Sequence, residues 1–274
     1  MLKQMRSYLG DGMILALLAL LLAPFLSGAA QQFDAAGEKQ LVDLINQERA
    51  REGLPPLAVD ERLAQAARKH TALMAKHDTP SHQLAEEQPL QMRVADEGLR
   101  SDRQAENVGL EMDVAGAHAM LMDSPAHRAN ILSRDYNAVG IGVMLMGDKL
   151  YVTEDFAHRL PDYSDADADA ALQKAIADYA SAHRLPVPTR KAQPDLHQMA
   201  CHMAIIDALD TRTPRSIPGV HRVMAWTATE VEQLPEGVRT LLGQTLPYGY
   251  SLGVCFAASA THPGGMYWIV MVAY

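Results

Sequence analysis

Three short motifs in the first half of the chain contain the residue types that acid–base chemistry and metal binding require. They are "SH" at residues 81–82, "ENVG" at residues 106–109 and "SPAHRANIL" at residues 124–132. Two imidazoles and a carboxylate can hold a divalent metal such as zinc and leave one position open for water. A carboxylate can also orient one imidazole through its N–H and leave the other ring nitrogen as a base. If the fold brings them together, His82, Glu106 and His127 could form a cleft of this chemistry, with or without zinc.

Four further polar residues of the same motifs are expected to support this cleft: Asn107, Ser124, Arg128 and Asn130. Nucleophilic serine catalysis is not favoured, because neither Ser81 nor Ser124 lies in the G-x-S-x-G pattern of a strained nucleophile turn. The motifs also have a purely structural interpretation. In that interpretation the "EN" pair satisfies loop backbone groups and the histidine of "HR" caps the end of its helix. The arginine would then pair with Glu154 or Asp155.

Helices and one hairpin are predicted to position the motifs. Apolar residues spaced by about 3.6 indicate a helix from Ala35 and a second helix after Asp60, which is an expected N-cap. Residues 83–105 are predicted to form a long loop with a short helix, and residues 108–124 a third helix. The runs "AVGIGVMLM" and "LYVTEDFAH", joined by "GDK", are typical of a β-hairpin.

The order and spacing of these motifs resemble the CAP superfamily, which comprises cysteine-rich secretory, antigen 5 and pathogenesis-related 1 proteins. The resemblance is strongest to its bacterial SCP-like extracellular domains and extends over residues 38–157, including "LINQERAREGLPPLAVDERLAQAARKH", "VGIGV" and "YVTEDF". It implies an α+β fold, a three-layer α-β-α sandwich with a central histidine and glutamate cleft. Many eukaryotic members have a tryptophan and, three residues later, a second glutamate. Leu121 and Ser124 occupy those positions here, so the resemblance implies a reduced set.

The second half of the chain echoes the first. "AIADYASAHRLPVPTRKAQPDLHQMACHM" follows the pattern of the first two helices, and "LGVCFAASATHPGGMYWIVMV" follows the hairpin. In this alignment Gly140 matches Gly253 and Tyr151 matches Tyr267. The pattern predicts a tandem repeat whose second copy has lost the cleft residues.

The predicted organisation has four parts. Residues 1–30 are expected to be a signal peptide, with positive residues, an apolar run and small residues, cleaved after Ala29 or Ala30; an uncleaved anchor is the alternative. A CAP/SCP-like domain is expected at residues 31–160, an acidic linker at 161–168 and a degenerate CAP-like repeat at 169–274. With a cleaved signal the mature chain would have no integral membrane domain.

Export bears on the two cysteines of the chain. The predicted location is secreted or periplasmic, and disulfides form and persist in such oxidising compartments. Cys201 and Cys255 are the whole cysteine content, an even pair. The sequence therefore predicts a Cys201–Cys255 disulfide.

Charge and composition limit the classes of partner. The net charge is −9 and the basic residues are scattered, which argues against a nucleic-acid partner. The favoured function is a non-catalytic extracellular binding module for a lipid or a cell-envelope ligand, with zinc as an optional cofactor. One alternative is a metal-dependent or acid/base hydrolase of peptide or envelope polymer. The other is a scaffold that docks another exported protein through the second repeat.

Overall fold

The computed structural model describes residues 33–244, 249–262 and 264–274. The predicted signal peptide at residues 1–30 lies outside the described residues. Each described helix is too short or too polar to cross a membrane.

The first half forms a four-stranded sheet with helices on both faces. Its elements are α1 (Ala35–Arg51), β1 (Ala58–Val59), α2 (Glu61–His77), α3 (Leu90–Asp96), β2 (Ser101–Glu111), α4 (Val114–Asp123), α5 (Pro125–Ile131), β3 (Ala138–Met146) and β4 (Lys149–Arg159). The strands lie in the order β1-β3-β4-β2, and only the β1–β3 pair is parallel within this sheet.

Local sequence signals explain where the first two helices begin. Asp34 caps α1, because its side chain accepts a hydrogen bond from the Gly37 backbone N–H at 2.9 Å. Asp60 caps α2 in the same way through the Arg62 N–H at 3.0 Å. An oxygen of the N-cap side chain thus satisfies a backbone donor that has no partner inside the helix. Both predicted helix starts are confirmed.

The strand β2 differs from the prediction. Residues 83–105 were expected to be mainly loop and residues 108–124 to be helix, yet Ser101–Glu111 pairs antiparallel with β4 and the helix begins only at Val114. The physical reason is that β2 carries buried polar residues, Glu106 and Asn107, where an ordinary strand has apolar ones. Alternation of apolar and polar residues, the usual signature of a half-buried strand, is therefore absent.

Alternating side chains of β3 divide the helices into two layers. Ile141 and Val143 pack with apolar residues of α1 and α4 on one face. Gly140 and Gly142 face α2, and a Cβ built on Gly140 would lie only 2.2 Å from the backbone of Leu63 and Ala64. Glycine thus permits the helix backbone to touch the strand. The predicted α+β, three-layer α-β-α sandwich is confirmed.

The second half has its own three-stranded sheet. Its elements are α6 (Asp165–Ala182), α7 (Asp195–Ile205), a 3-10 turn (Pro214–Ser216), β5 (Arg222–Ala228), α8 (Glu236–Leu242), β6 (Tyr250–Ala257) and β7 (Met266–Ala273). The strand order β5-β7-β6 repeats the order β2-β4-β3 of the first half. The helix α7 covers one face, and α6 and α8 cover the other. Helix α6 starts at Asp165, inside the predicted linker at residues 161–168.

A glycine marks the same helix–strand contact in both halves. A Cβ on Gly253 would lie 2.1 Å from the Leu196 carbonyl oxygen on α7, as Gly140 meets Leu63 on α2. The predicted match of Tyr151 with Tyr267 is displaced by one residue. Gly140 pairs with Asp155, and Gly253 pairs with Val270. Tyr151 lies four residues before Asp155, and the residue four before Val270 is Met266, so Tyr151 corresponds to Met266. A tandem duplication itself stays a prediction.

A disulfide stabilises the second half, and the contacts of one arginine join it to the first half. Cys201 on α7 and Cys255 on β6 form a disulfide with a Cα–Cα distance of 5.2 Å, which confirms the predicted pair. Arg100, just before β2, lies over the ring of Phe256 at 3.7 Å and donates to the Tyr267 hydroxyl at 3.2 Å. The first half is thereby joined to the second sheet.

Candidate functional site

The candidate site lies where the two helical layers meet the edge strand β2. Residues paired across antiparallel strands point to the same face of a sheet. Glu106 pairs with Asp155, and Asp155 pairs with Gly140, so both carboxyls face the layer of α2. Asn107 pairs with Glu154 and faces the opposite layer, which contains α5. One edge strand therefore presents polar groups to both layers.

His82 approaches Glu106 from the loop after α2. The His82 Nδ1 lies 3.0 Å from Glu106 Oε1, and Arg93 Nη2 donates to Glu106 Oε2 at 2.7 Å. The glutamate side chain is 4 % exposed and the His82 side chain 59 % exposed. A buried carboxylate balanced by a guanidinium can orient an imidazole without leaving an unpaired charge. This geometry leaves Nε2 of His82 as the group for a ligand.

His70 is a buried part of the site that the sequence analysis did not single out. Its Nδ1 lies 2.8 Å from Glu87 Oε2 and its Nε2 2.7 Å from the Ser81 carbonyl oxygen. The ring thus contacts a carboxyl group on one side and a backbone carbonyl on the other. His70 therefore fastens the loop that presents His82. His77, seven residues further along α2, contacts Glu86 at the surface and takes no part in the site.

His127 reaches the site from the opposite layer. It is the third residue of α5, and its ring centroid lies 6.3 Å from that of His82. Its Nδ1 is buried and has no hydrogen-bond partner among the described residues. Burial, and then the charge of His82, lowers the pKa of His127. The two imidazoles thus face one another, and His127 is held towards its neutral form.

Two of the four predicted supporting residues, Asn107 and Asn130, form hydrogen bonds next to His127. Asn107 Nδ2 donates to the His127 carbonyl at 3.1 Å and to Glu154 Oε2 at 3.0 Å, and Asn130 Nδ2 donates to Asn107 Oδ1 at 2.9 Å. These two amides fix α5 against β2, which agrees with the structural role considered for the "EN" asparagine. Ser124 is the residue before α5 and makes no capping side-chain hydrogen bond.

Two parts of the structural interpretation are wrong. Arg128 pairs with Glu52, at 3.7 Å on the surface, and not with Glu154 or Asp155. Surface exposure of Arg128 and Glu52 is the physical reason, because Glu154 and Asp155 are fully buried in the sheet. His127 does not cap the end of a helix either, since α4 ends at Asp123 and a new helix begins at Pro125.

Two buried acids of β4 lie beneath the site. Burial raises the pKa of Glu154 to about 7, although the Asn107 hydrogen bond opposes the shift. Burial, and then the neighbouring Glu106 carboxylate, raises the pKa of Asp155 well above its usual range, and Arg93 opposes this. Neither Asp155 oxygen has a donor among the described residues. Asp155 is therefore held towards its protonated form.

The raised pKa of Glu154 predicts a pH dependence of stability. Between pH 4.5 and about 7 the native carboxyl keeps a proton that the unfolded chain releases. The free energy of unfolding should therefore fall as pH rises through this window and level off above it. We expect Glu154→Gln to flatten the fall in urea titrations followed by circular dichroism.

Asp155 contributes with the same sign, so the slope should decrease without vanishing in this variant. Substitution of the exposed Glu52 by Gln is the matched control and should keep the wild-type slope. An unchanged slope in Glu154→Gln would contradict the assignment of a buried, protonated acid.

The zinc prediction finds no geometric support. Across the described ranges, no three His, Cys, Asp or Glu side chains are arranged to hold a metal ion. Glu106 does not fit as a ligand, because His82 engages one of its oxygens and Arg93 the other. Of the predicted set, only His82 and His127 keep ring nitrogens that could turn towards a cation.

Comparison with known proteins gives a family match within the first half of the chain. A family model described as "CAP: Cysteine-rich secretory protein family" matches residues 42–156. The Bacillus subtilis (strain 168) membrane protein YlbC is 28% identical over 130 residues, which are 47% of this chain and 36% of YlbC. The Bacillus subtilis protein YkwD is 32% identical over 116 residues, which are 41% of this chain and 44% of YkwD.

Among solved structures, an extracellular protein of Bacillus anthracis that contains an SCP domain is similar to this chain. It is 26% identical with a TM-score of 0.41, and the match covers 44% of this chain and 40% of that protein. The chain spans less than half the length of the two curated relatives it matches.

Proposed function

Because residues 42–156 match the family model of cysteine-rich secretory proteins (CAP), we propose that the protein belongs to this family and acts outside the cytoplasm as a ligand-binding module. The Cys201–Cys255 disulfide supports this location, since such bonds persist mainly in oxidising compartments. The expected signal at residues 1–30 would direct the chain there. Secretion or a periplasmic location, with cleavage of that signal, is part of the proposal.

The observation that carries the proposal is the contact between His82 and Glu106. Glu106 accepts from Nδ1, so the exposed imidazole presents Nε2 in a fixed tautomer. His127 lies opposite at 6.3 Å between ring centroids. With Nδ1 donating to Glu106, Nε2 accepts a hydrogen bond, so the pair suits hydroxyl groups, which abound in lipid headgroups and in cell-envelope polymers. We propose a ligand of this chemistry, bound without turnover.

Binding to two defined probes tests the proposal. Phosphatidylglycerol vesicles represent lipid headgroups, and purified peptidoglycan represents envelope polymer. We expect one of them to bind the wild type, and His82→Ala and His127→Ala each to weaken that binding about tenfold by removing one hydrogen-bonding group. Co-sedimentation gives the affinities. The probe that responds distinguishes the two sources of ligand.

His221→Ala is the matched control, because His221 is an exposed histidine of the second half. It should bind like the wild type. Equal affinities for all three variants would place any binding elsewhere, and absence of binding to both probes would remove the proposed ligand classes. Circular dichroism of each variant checks that it folds.

An acid/base hydrolase is the second candidate, and the same contact favours it. A carboxylate that orients an imidazole is the arrangement of a general base. Ser81 Oγ donates to the Gln83 carbonyl at 2.8 Å within its own loop, so the base would activate water and not this serine. Release of soluble fragments from peptidoglycan by the wild type, lost in His82→Ala, would favour hydrolysis over simple binding.

A further inference from the structure

The second half has an open groove along the edge strand β5. The groove has a volume of about 590 Å³ and is lined by three residues of β5, by Arg215 and by four residues of α8: Arg222, Val223, Met224, Arg215, Glu236, Gly237, Thr240 and Leu241. Consecutive residues of a strand point to opposite faces. A groove that touches three in a row therefore lies along the edge of the strand and not over one face.

Backbone groups of this edge are available for pairing. Within the described residues, β5 pairs with β7 on one side and with no strand on the other. Unpaired N–H and C=O groups of an edge strand can pair with an added strand. The walls of the groove come from both helical layers, since the turn at 214–216 follows α7 and α8 packs on the opposite face. The groove therefore has the form of a slot for one extended chain.

This edge corresponds to the candidate site of the first half. The strand β5 occupies the place of β2 in the order shared by the two sheets. Counted from the paired glycines, Ala225 and Trp226 stand at the positions of Glu106 and Asn107. The second half thus has an open edge at the corresponding place, without histidine or carboxylate side chains at these positions.

The charges of the groove indicate what would fill it. Among the described residues, Arg215 and Arg222 line the groove without forming an ion pair, in a chain of net charge −9. Glu236 is the acidic residue among those lining it, and Val223, Met224 and Leu241 supply apolar surface. Two guanidinium groups beside unpaired backbone favour carboxylates on an extended segment with alternate apolar side chains.

We propose that the β5 edge binds an extended acidic peptide segment of another exported protein by β-strand addition. Main-chain hydrogen bonds to β5 would supply affinity, and Arg215 and Arg222 would select acidic residues. This surface is separate from the site at His82, so its function does not depend on the proposed ligand of the first half.

Selection from a display library of random heptapeptides against the purified protein tests the proposal. We expect enriched peptides to alternate apolar residues with Asp or Glu. The double variant Arg215→Glu/Arg222→Glu should bind a synthesised enriched peptide about tenfold or more weakly, because two charge-assisted contacts are lost. Hydrogen exchange should show protection of the β5 amides when the peptide is bound.

Arg212→Glu is the matched control, because Arg212 is exposed nearby but does not line the groove. It should keep near wild-type affinity. The proposal is overturned if no peptide is enriched, if enriched peptides lack acidic residues, or if the double variant binds as the wild type does. Protection of β5 in a wild-type dimer without peptide would assign the edge to a second copy and overturn it as well.

Discussion

Replacing both cysteines by serine, as Cys201→Ser/Cys255→Ser, should lower the free energy of unfolding by about 4 kcal/mol. The bond closes a loop with a sequence separation of 54, and without it the unfolded chain gains the conformational freedom of that loop. The native geometry should persist, because α7 also packs on the sheet through the apolar cluster that includes Leu196 and Trp268.

Tryptophan fluorescence during urea unfolding measures this effect. Both tryptophans of the chain, Trp226 and Trp268, are buried in the second half, so the signal reports on the sheet that the disulfide stabilises. Wild type treated with a reductant should match the double variant. A variant as stable as the oxidised wild type would show that the disulfide adds no net stability.

Replacing Arg49 by methionine should lower the free energy of unfolding by about 3 kcal/mol, because carbonyl groups would lose a charged donor. Arg49 is fully buried on α1. Its Nε donates to the Pro55 carbonyl at 2.9 Å, and its Nη1 to the carbonyls of Ile131 at 2.9 Å and Ser133 at 2.7 Å. The side chain thus fastens the end of α5, the helix that carries His127.

Urea unfolding followed by circular dichroism measures the loss. Arg51→Met is the matched control, since Arg51 lies two residues after Arg49 on α1 and forms an exposed ion pair with Glu48, and such pairs contribute roughly 0–1 kcal/mol. The Arg49 variant should also bind the ligand of the first half more weakly. Stability equal to that of Arg51→Met would mean that water satisfies these carbonyls in place of Arg49.

Sequence patterns predicted the fold where local signals are strong. The caps Asp34 and Asp60, the helical spacing and the turn at residues 147–148 all act within a few residues. β2 and β5 lack such a signal. Both are edge strands with mixed polarity, and their conformation depends on pairing with β4 and β7, which are distant along the chain.

The candidate site was predicted only in part, because motifs reveal residues with local patterns but not tertiary contacts. The motifs supplied His82, Glu106 and His127, and the structure brings them to one edge of the sheet. His70 and Arg93 carry no motif of their own. They matter because α2 and α3 fold over β2 and place both side chains beside Glu106, at 3.6 Å and 2.7 Å. Contacts of that kind come from tertiary packing and leave no local pattern.

Arg100 couples the stability of the two halves of the chain. Its guanidinium stacks on Phe256 and bonds to Tyr267, and its backbone leads directly into the strand that carries Glu106. A ligand that binds only the native state adds its binding free energy to every part of the structure that must be folded for binding. Occupancy of the His82 cleft should therefore protect the second sheet from unfolding, and a peptide on β5 should protect the cleft in return.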